Sequence, residues 1–252
     1  MSTSLPIVGQ QEERPPEHAP GPKELALEAL WAEISPHFYS LENIVRMLRL
    51  RRRFDFKPAS LNGLKVAIPT GKVPDCDNCL DLCCTGPNAI VSLRLKDIAG
   101  LVDLGREDLL SWSRPPPLPT KDAKRQHTWA RREADGSIFH RAFPILARDK
   151  TGTCMALTED RLCGLWPSWP TSCARYPYAL DIKNNVVFYA AGCQSTRIAE
   201  MTEAPVAVRR LVRASLDAYN QRLRDVLFLA FARERLADLG LLQWVKVEEL
   251  GF

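Results

Sequence analysis

Hydrophobic residues recur at helical spacing near the start of the chain. The segment PKELALEALWAEI begins at Pro22. One face of this segment carries Leu27, Leu30, Trp31 and Ile34. Proline fits the first turn of a helix, and apolar residues three or four positions apart form a stripe that packs on a core. The pattern predicts an amphipathic helix.

A second helix is predicted from Ser40, a suitable N-cap, to about Leu50. Its apolar stripe comprises Leu41, Ile44, Val45 and Leu48. Together the two helices, within residues 23–62, are expected to form a hairpin that packs on the main domain.

The most regular periodicity lies near the C-terminus. A helix is predicted to start after Thr202, to hold Pro205 in its first turn and to end at Gly240. Its stripe comprises Val208, Leu211, Val212, Ser215, Tyr219, Leu223, Val226, Leu227 and Phe231. Residues 196–252 are therefore interpreted as a C-terminal helical extension.

The middle of the chain predicts short elements. Residues 63–75 indicate a strand and a loop, and AIVSL (89–93) indicates a further strand. Two short helices are expected around residues 96–102 and 106–112. Residues 178–191 read as a β-hairpin with its turn at Asn184-Asn185, because Asn tolerates positive φ.

These elements predict an α+β fold. Its centre is a small, irregular, cysteine-rich domain with short strands over residues 63–195. An N-terminal helical pair and a long C-terminal helix flank it.

Composition adds little to this picture. The 252 residues are 46% apolar and 25% charged with a net charge of +4, as in many globular proteins. Residues 1–22 are rich in Pro, Glu and Gln and are expected to be disordered, and SRPPPLPTK (113–121) predicts a stiff polyproline connection. No secretory signal is readable, and the longest apolar run, Val226–Ala232, is far shorter than the ~20 residues of a membrane helix. We therefore expect a cytoplasmic protein with no membrane partner.

The run RMLRLRRRFDFK concentrates positive charge in the predicted second helix, with arginines from Arg46 to Arg53. Such a run suits an anionic partner, but it also complements a helix dipole. No recognised nucleic-acid module accompanies it, so we do not expect nucleic acid to be the partner. A protein partner could use this helix or the C-terminal helix.

Four of the eight cysteines lie within nine positions, in the segment CDNCLDLCC: Cys76, Cys79, Cys83 and Cys84. In a reducing compartment, clustered cysteines are metal ligands or redox groups more often than disulfides. A Cys-x2-Cys spacing lets both sulfurs reach one metal ion. The adjacent pair is harder to explain, because adjacent side chains diverge and a disulfide between them would strain the backbone.

The other four cysteines are spread over forty positions, at Cys154, Cys163, Cys173 and Cys193. Proline, tryptophan and turn-forming residues lie between them and are expected to fix their loops. Coordination by thiolates alone selects zinc or an iron–sulfur centre over magnesium or calcium.

The ordered set CDNCLDLCC, GTCMAL, RLCGLWPSWPTSCARYPY and GCQ resembles the cysteine-cluster proteins of the YkgJ family over about residues 63–195. The domain of that family is described as zinc- or iron-chelating. The resemblance implies a metal site, and its eight matching positions are the ligand candidates: Cys76, Cys79, Cys83, Cys84, Cys154, Cys163, Cys173 and Cys193.

Three hypotheses follow. The first is a protein that chelates zinc or iron through clustered thiolates, including an iron–sulfur or multinuclear site. The second is a redox or metal-dependent enzyme that uses a reactive thiol of the Cys83-Cys84 pair. The third is an interaction scaffold that the metal holds together. The sequence assigns no catalytic residue.

Overall fold

The computed structural model of the protein describes residues 19–53, 58–67, 72–74, 83–85, 90–112, 141–166, 168–182, 184–189, 196–198 and 204–250. Within these ranges, the side chains of residues 53, 72–74, 196–198 and 204–207 are not described. Most of the tail expected to be disordered and the polyproline connection fall outside the described residues.

Helices dominate the described chain. The α-helices are α1 (Pro22–Ile34), α2 (Ile44–Arg53), α3 (Leu95–Asp103), α4 (Thr171–Arg175), α5 (Ala204–Phe231), α6 (Arg233–Asp238) and α7 (Val247–Leu250). Short 3-10 helices lie at Ser35–His37, Glu107–Leu109 and Leu242–Trp244.

Short strands form three small sheets. The strands are β1 (Lys65–Ala67), β2 (Lys72–Pro74), β3 (Leu110–Ser111), β4 (Ile145–Leu146), β5 (Tyr178–Asp181), β6 (Val186–Tyr189) and β7 (Thr196–Ile198). In the largest sheet, β6 lies between β1, its parallel neighbour, and β5, its antiparallel neighbour. The pairs β2–β7 and β3–β4 are antiparallel. The fold is α+β, as predicted.

The predicted hairpin is confirmed over β5 and β6. Asn185 has a φ of 51°, and the Asp181 carboxylate accepts hydrogen bonds from the backbone N–H and the amide of Asn184 at 3.2 and 2.7 Å. Only the second Asn of the pair takes the positive φ, because the first is held by Asp181.

The larger hydrophobic cluster joins residues of α1, α2, α3, α6 and α7 with the second half of α5. It also includes residues outside these helices, among them Phe143, Leu146, Cys154 and Leu165. Leu27 and Leu30 are buried in it, and Trp31 and Ile34 pack against it, as the periodicity of α1 predicts. Arg224 of α5 stacks over Trp31, with its guanidinium carbon 4.6 Å from the ring centroid.

The smaller hydrophobic cluster lies between the largest sheet and the first half of α5. Its buried members are Ala59, Tyr178, Val187, Leu211, Val212 and Leu216. Helix α5 therefore contributes to both clusters along its 28 residues, about 42 Å of helix.

The predicted stripe of the second helix is wrong. Leu41 is 94% exposed, Val45 55% and Leu48 54%, whereas Met47 and Leu50 are buried. The helix begins at Ile44, and Arg46 donates to the Ala230 carbonyl near the end of α5 at 3.0 Å. Met47 and Leu50 lie on the side that packs in the larger cluster.

Helix α5 also ends earlier than predicted. The chain breaks at Ala232, whose φ of −137° and ψ of 30° are not helical, and resumes as α6. The break lets Leu236 turn into the larger cluster, where it is fully buried. The predicted C-terminal helix is therefore two helices, and Gly240, with a φ of 71°, follows the second.

Two further elements differ from prediction. The described part of the predicted strand 89–93, residues 90–93, forms only an isolated bridge between Ser92 and Ile145, with hydrogen bonds from Leu93 to the Pro144 carbonyl and from Leu146 to the Val91 carbonyl. The predicted helix 106–112 is one 3-10 turn followed by β3, because Leu110 and Ser111 pair with β4 instead.

Helix α1 is capped by another helix. The carboxylate of Asp103, at the end of α3, accepts hydrogen bonds from the backbone N–H of Lys23 at 2.9 Å and of Glu24 at 3.2 Å. A side chain on Gly21 would overlap this carboxylate, so glycine is required there. The contact satisfies N–H groups that a helix start leaves unpaired.

The search for membrane spans gave a negative result. Among the described residues, no helix combines the length and apolar character needed to cross a membrane.

We predict that Asp103→Ala lowers the free energy of unfolding by about 1 kcal/mol, the usual cost of a lost helix cap. Urea unfolding measures it. The control is Glu33→Ala, which removes an ion pair with Arg235 whose side chains are both 57% exposed. The control should change stability by less than about 0.5 kcal/mol. Equal effects would contradict the capping role.

Candidate metal centre

Two tight turns place Cys154 and Cys163 close together. After β4, the Asp149 carboxylate accepts hydrogen bonds from the backbone N–H groups of Thr151 and Thr153 at 2.8 and 2.9 Å. The chain reverses there, and Cys154 pairs with Arg148 in an isolated β-bridge. A second reversal follows, and Cys163 pairs with Leu157.

Groups next to these two cysteines partly oppose the effect of burial on the thiol pKa. The N–H of Ala156 lowers the pKa of Cys154, and the N–H groups of Leu165 and Trp166, with the side chain of Trp169, lower that of Cys163. Donors of this kind stabilise a thiolate and are a means by which proteins tune sulfur-ligated metal centres.

The vicinal pair is tied to the same loop through its backbone. The Cys84 carbonyl accepts a hydrogen bond from the N–H of Cys154 at 2.6 Å. The Arg148 guanidinium donates to the Cys83 carbonyl at 3.0 Å and also to the Gly152 carbonyl. Arg148 therefore fixes the pair against the turn that carries Cys154.

Helix α4 brings Cys173 to the group from a third direction. Asp97, in the first turn of α3, accepts hydrogen bonds from the backbone N–H and the hydroxyl of Thr171 at 2.8 and 2.6 Å. It also accepts from the backbone N–H of Arg94 at 2.8 Å. One buried carboxylate thus joins the starts of two helices and sets the position of Cys173.

Four thiols converge as a result. Cys84, Cys154, Cys163 and Cys173 are free thiols, and each lies near enough to the other three for their charges to interact. Cys154 is buried, and the other three are partly buried. Cys83 is exposed, and its side chain hydrogen-bonds to that of Cys84.

The surroundings of these thiols shift their pKa values in opposite directions. The hydrogen bond from Cys83, aided by Arg148 and opposed by burial, lowers the pKa of Cys84 to about 7. Burial raises the pKa of Cys154 and of Cys163, and raises that of Cys173 well above its usual range. Negative charge on a neighbouring sulfur raises each of these three further, so ionising several thiols together is unfavourable without a cation.

The structure thus brings together four of the eight predicted ligands and places Cys83 beside them. Cys76, Cys79 and Cys193 lie outside the described residues. Within the described ranges, no three Cys, His, Asp or Glu side chains stand in an arrangement that could hold a metal ion. The four sulfurs are neighbours without forming a closed coordination sphere.

Asp225 of α5 is a second buried carboxylate, close enough to Asp97 for their charges to interact. It is 1% exposed and accepts a hydrogen bond from the backbone N–H of Leu95 at 3.3 Å, while its second oxygen has no hydrogen-bond partner among the described residues. Burial raises the pKa of Asp225 to about 8; the charge of Arg94 opposes the shift and that of Asp97 adds to it.

Sequence reasoning missed two side chains that organise the candidate centre: Asp97 and Arg148. Asp97 had a local signal, since an acidic residue three positions after a helix N-cap is typical of a capping box. Its bond to Thr171 spans 74 residues and has no signal in a single sequence.

Comparison with known proteins gave no relatives. No protein-family model, curated protein or solved structure matches the chain.

We predict that Thr171→Val lowers the free energy of unfolding by about 1–2 kcal/mol, because it removes a hydrogen bond to a buried carboxylate. Thr171→Ser, the control, keeps the hydroxyl and should cost less than about 0.5 kcal/mol. Urea unfolding of both variants measures the difference. Equal losses would show that the bond to Asp97 contributes nothing.

Asp225 gives a prediction about pH. An unfolded Asp loses its proton near pH ~4, whereas the folded protein keeps the proton of Asp225 to about pH 8. The folded state therefore binds more protons between these values, and the contribution of Asp225 to stability falls as pH rises from about 4 to 8.

Asp225→Asn removes the ionisable carboxyl group and, with it, this pH-dependent contribution to stability. Measured by urea unfolding, the stability of the variant relative to the natural protein should rise between pH 5 and pH 9 by more than the ~1.4 kcal/mol that one pKa unit represents. A difference that stays constant over that range would contradict the assignment.

Proposed function

We propose that the protein binds zinc or iron through cysteine thiolates, with Cys84, Cys154, Cys163 and Cys173 as its central ligands. The observation that carries the proposal is the convergence of these four thiols from three separate segments of the chain. Cys76, Cys79 and Cys193 are the further candidates, for a second ion or a cluster.

The donor set fits such a metal. Sulfur ligands suit zinc and iron–sulfur centres. The N–H groups beside Cys154 and Cys163 favour the thiolate form by lowering the pKa of each thiol. The order of the cysteines, which resembles that of the YkgJ-type family, supports the same assignment.

Metal binding would also offset the repulsion among the four thiolates. Buried thiols that raise one another's pKa stay protonated, whereas a bound dication favours the thiolates and releases their protons. The sulfurs need to draw closer on binding. Binding would order three segments of the chain, so part of the metal-binding free energy would stabilise the fold. We therefore expect a structural role for the ion.

The proposed location is the cytoplasm, because thiolate ligands persist in a reducing compartment. The exposed side of α2, with Val45 and Leu48 beside its arginines and Leu41 in the preceding turn, is the surface we propose for a protein partner. No nucleic acid is required by either proposal.

A second candidate function is an enzyme with a reactive thiol at Cys84. The observation that favours it is the pKa of that thiol, which Cys83 and Arg148 lower to about 7. The two functions differ in what a cysteine substitution removes: a structural site loses metal and stability together, whereas a catalytic thiol can be replaced without loss of either.

The test is elemental analysis and a visible absorption spectrum on anaerobically purified protein. We expect stoichiometric zinc in a colourless sample, or iron with a broad visible band. Cys154→Ser and Cys163→Ser should each lose most of the metal and lower the unfolding midpoint. Met155→Leu, which changes an exposed sulfur beside Cys154, is the control and should keep both.

Two results would overturn the proposal. One is a folded protein that contains neither zinc nor iron. The other is full metal content in both serine variants. If Cys84→Ser keeps metal and stability but abolishes alkylation by iodoacetamide near neutral pH, the reactive-thiol function is favoured instead.

A further inference from the structure

We infer that the outer side of α2 binds an acidic amphipathic helix of a partner protein. This inference rests on the partner surface proposed above, and it is independent of metal binding. It states what the partner presents to α2: a stripe of apolar side chains with aspartate or glutamate beside it.

Three apolar side chains form a stripe on the outer side of α2. Leu41, in the turn before the helix, is 94% exposed, and Val45 and Leu48 are 55% and 54% exposed. At 3.6 residues per turn, this stripe lies opposite the buried side that carries Met47 and Leu50. The successive spacings of four and three residues are those of the seam along which one helix packs on another.

Positive charge lies beside the stripe. Residues 41–53 include five arginines and one acidic residue. Arg49 follows Val45 by four positions and Arg52 follows Leu48 by four, so both arginines lie on the side of the stripe. Both are exposed, and within the described part of the chain neither forms an ion pair. Their guanidinium groups are therefore available to carboxylates of a partner.

The helix that carries this surface is fixed to the core. Arg46 donates to the Ala230 carbonyl at 3.0 Å, and its guanidinium carbon lies 5.4 Å from the centroid of the Phe231 ring. Met47 and Leu50 are buried beneath. Because the surface is ordered before binding, a partner does not have to supply the free energy of ordering it.

The combination of apolar and basic side chains favours a protein helix over the other anionic partners. Guanidinium groups pair with carboxylates in a planar, bidentate geometry. The phosphates of nucleic acid would leave the apolar stripe uncovered. The stripe from Leu41 to Leu48 spans about 11 Å of helix, so the interface is small and the complex is expected to be transient.

The test uses a synthetic peptide three heptads long, with leucine at the two seam positions and glutamate on either side of the seam. Fluorescence anisotropy of the labelled peptide, titrated with the full-length protein, measures the affinity. We expect saturable binding that weakens as salt is added. A peptide of the same composition with its leucines spread over all sides of the helix should not bind.

Substitutions on α2 locate the binding surface. Arg49→Gln combined with Arg52→Gln should weaken binding about fivefold, because it removes two ion pairs with the peptide. The matched control is Arg210→Gln combined with Arg213→Gln. These two arginines are exposed at the same spacing in the first half of α5, and their loss lowers the net charge by the same two units. The control should bind as the natural protein does.

The apolar stripe is tested in the same way. Leu48→Gln should weaken binding about tenfold, because the leucine is buried in the complex. Leu162→Gln, which changes a leucine of similar exposure outside α2, is the control and should leave the affinity unchanged. All four leucine and arginine variants alter exposed side chains, and circular dichroism checks that each one folds.

The outcomes distinguish this inference from the metal-binding function. The inference would be overturned by absence of peptide binding, by equal weakening in the two double arginine variants, or by tighter binding to phosphatidylserine vesicles or a DNA duplex than to the peptide. Metal content is measured on the same preparation. A metal-free protein that binds the peptide would overturn only the metal-binding function, and a metal-loaded protein that ignores the peptide would overturn only this inference.

Discussion

Helix α5 is the element on which the rest of the structure depends, because it packs in both hydrophobic clusters. Its first half covers the largest sheet, and its second half lies among α1, α2 and α3. A continuous helix of 28 residues holds its two ends at a fixed separation and angle. The helix therefore fixes the largest sheet and the larger cluster relative to each other. The loops between them are positioned as a result.

Two buried carboxylates add hydrogen bonds between elements that the apolar packing brings together. Asp225 reaches from α5 to the first residue of α3, and Asp97 reaches from the same turn of α3 to α4. Burying carboxylates is costly unless they are hydrogen-bonded, and both shift towards the protonated form. The hydrogen bonds that the two carboxylates accept offset part of this cost. They also connect the core to the segment that carries Cys173.

The parts of the fold that were predictable are those whose signal is local. The periodicity of α1 and the Asn-Asn turn of the hairpin each lie within a few residues. The orientation of α2 was not predictable, since apolar and basic residues occur on several of its sides. The buried side carries Met47 and Leu50, which pack in the larger cluster. The centre's supporting side chains act across long separations: Asp97 lies 74 residues from Thr171, and Arg148 lies 65 from Cys83.

We propose that sulfur atoms from separate segments surround one metal centre. X-ray absorption spectroscopy at the edge of the metal present, on anaerobically purified protein, tests this proposal most directly. We predict a first shell dominated by sulfur, at ~2.3 Å if the metal is zinc. A first shell of nitrogen and oxygen alone, at ~2.0–2.1 Å for zinc, would contradict it.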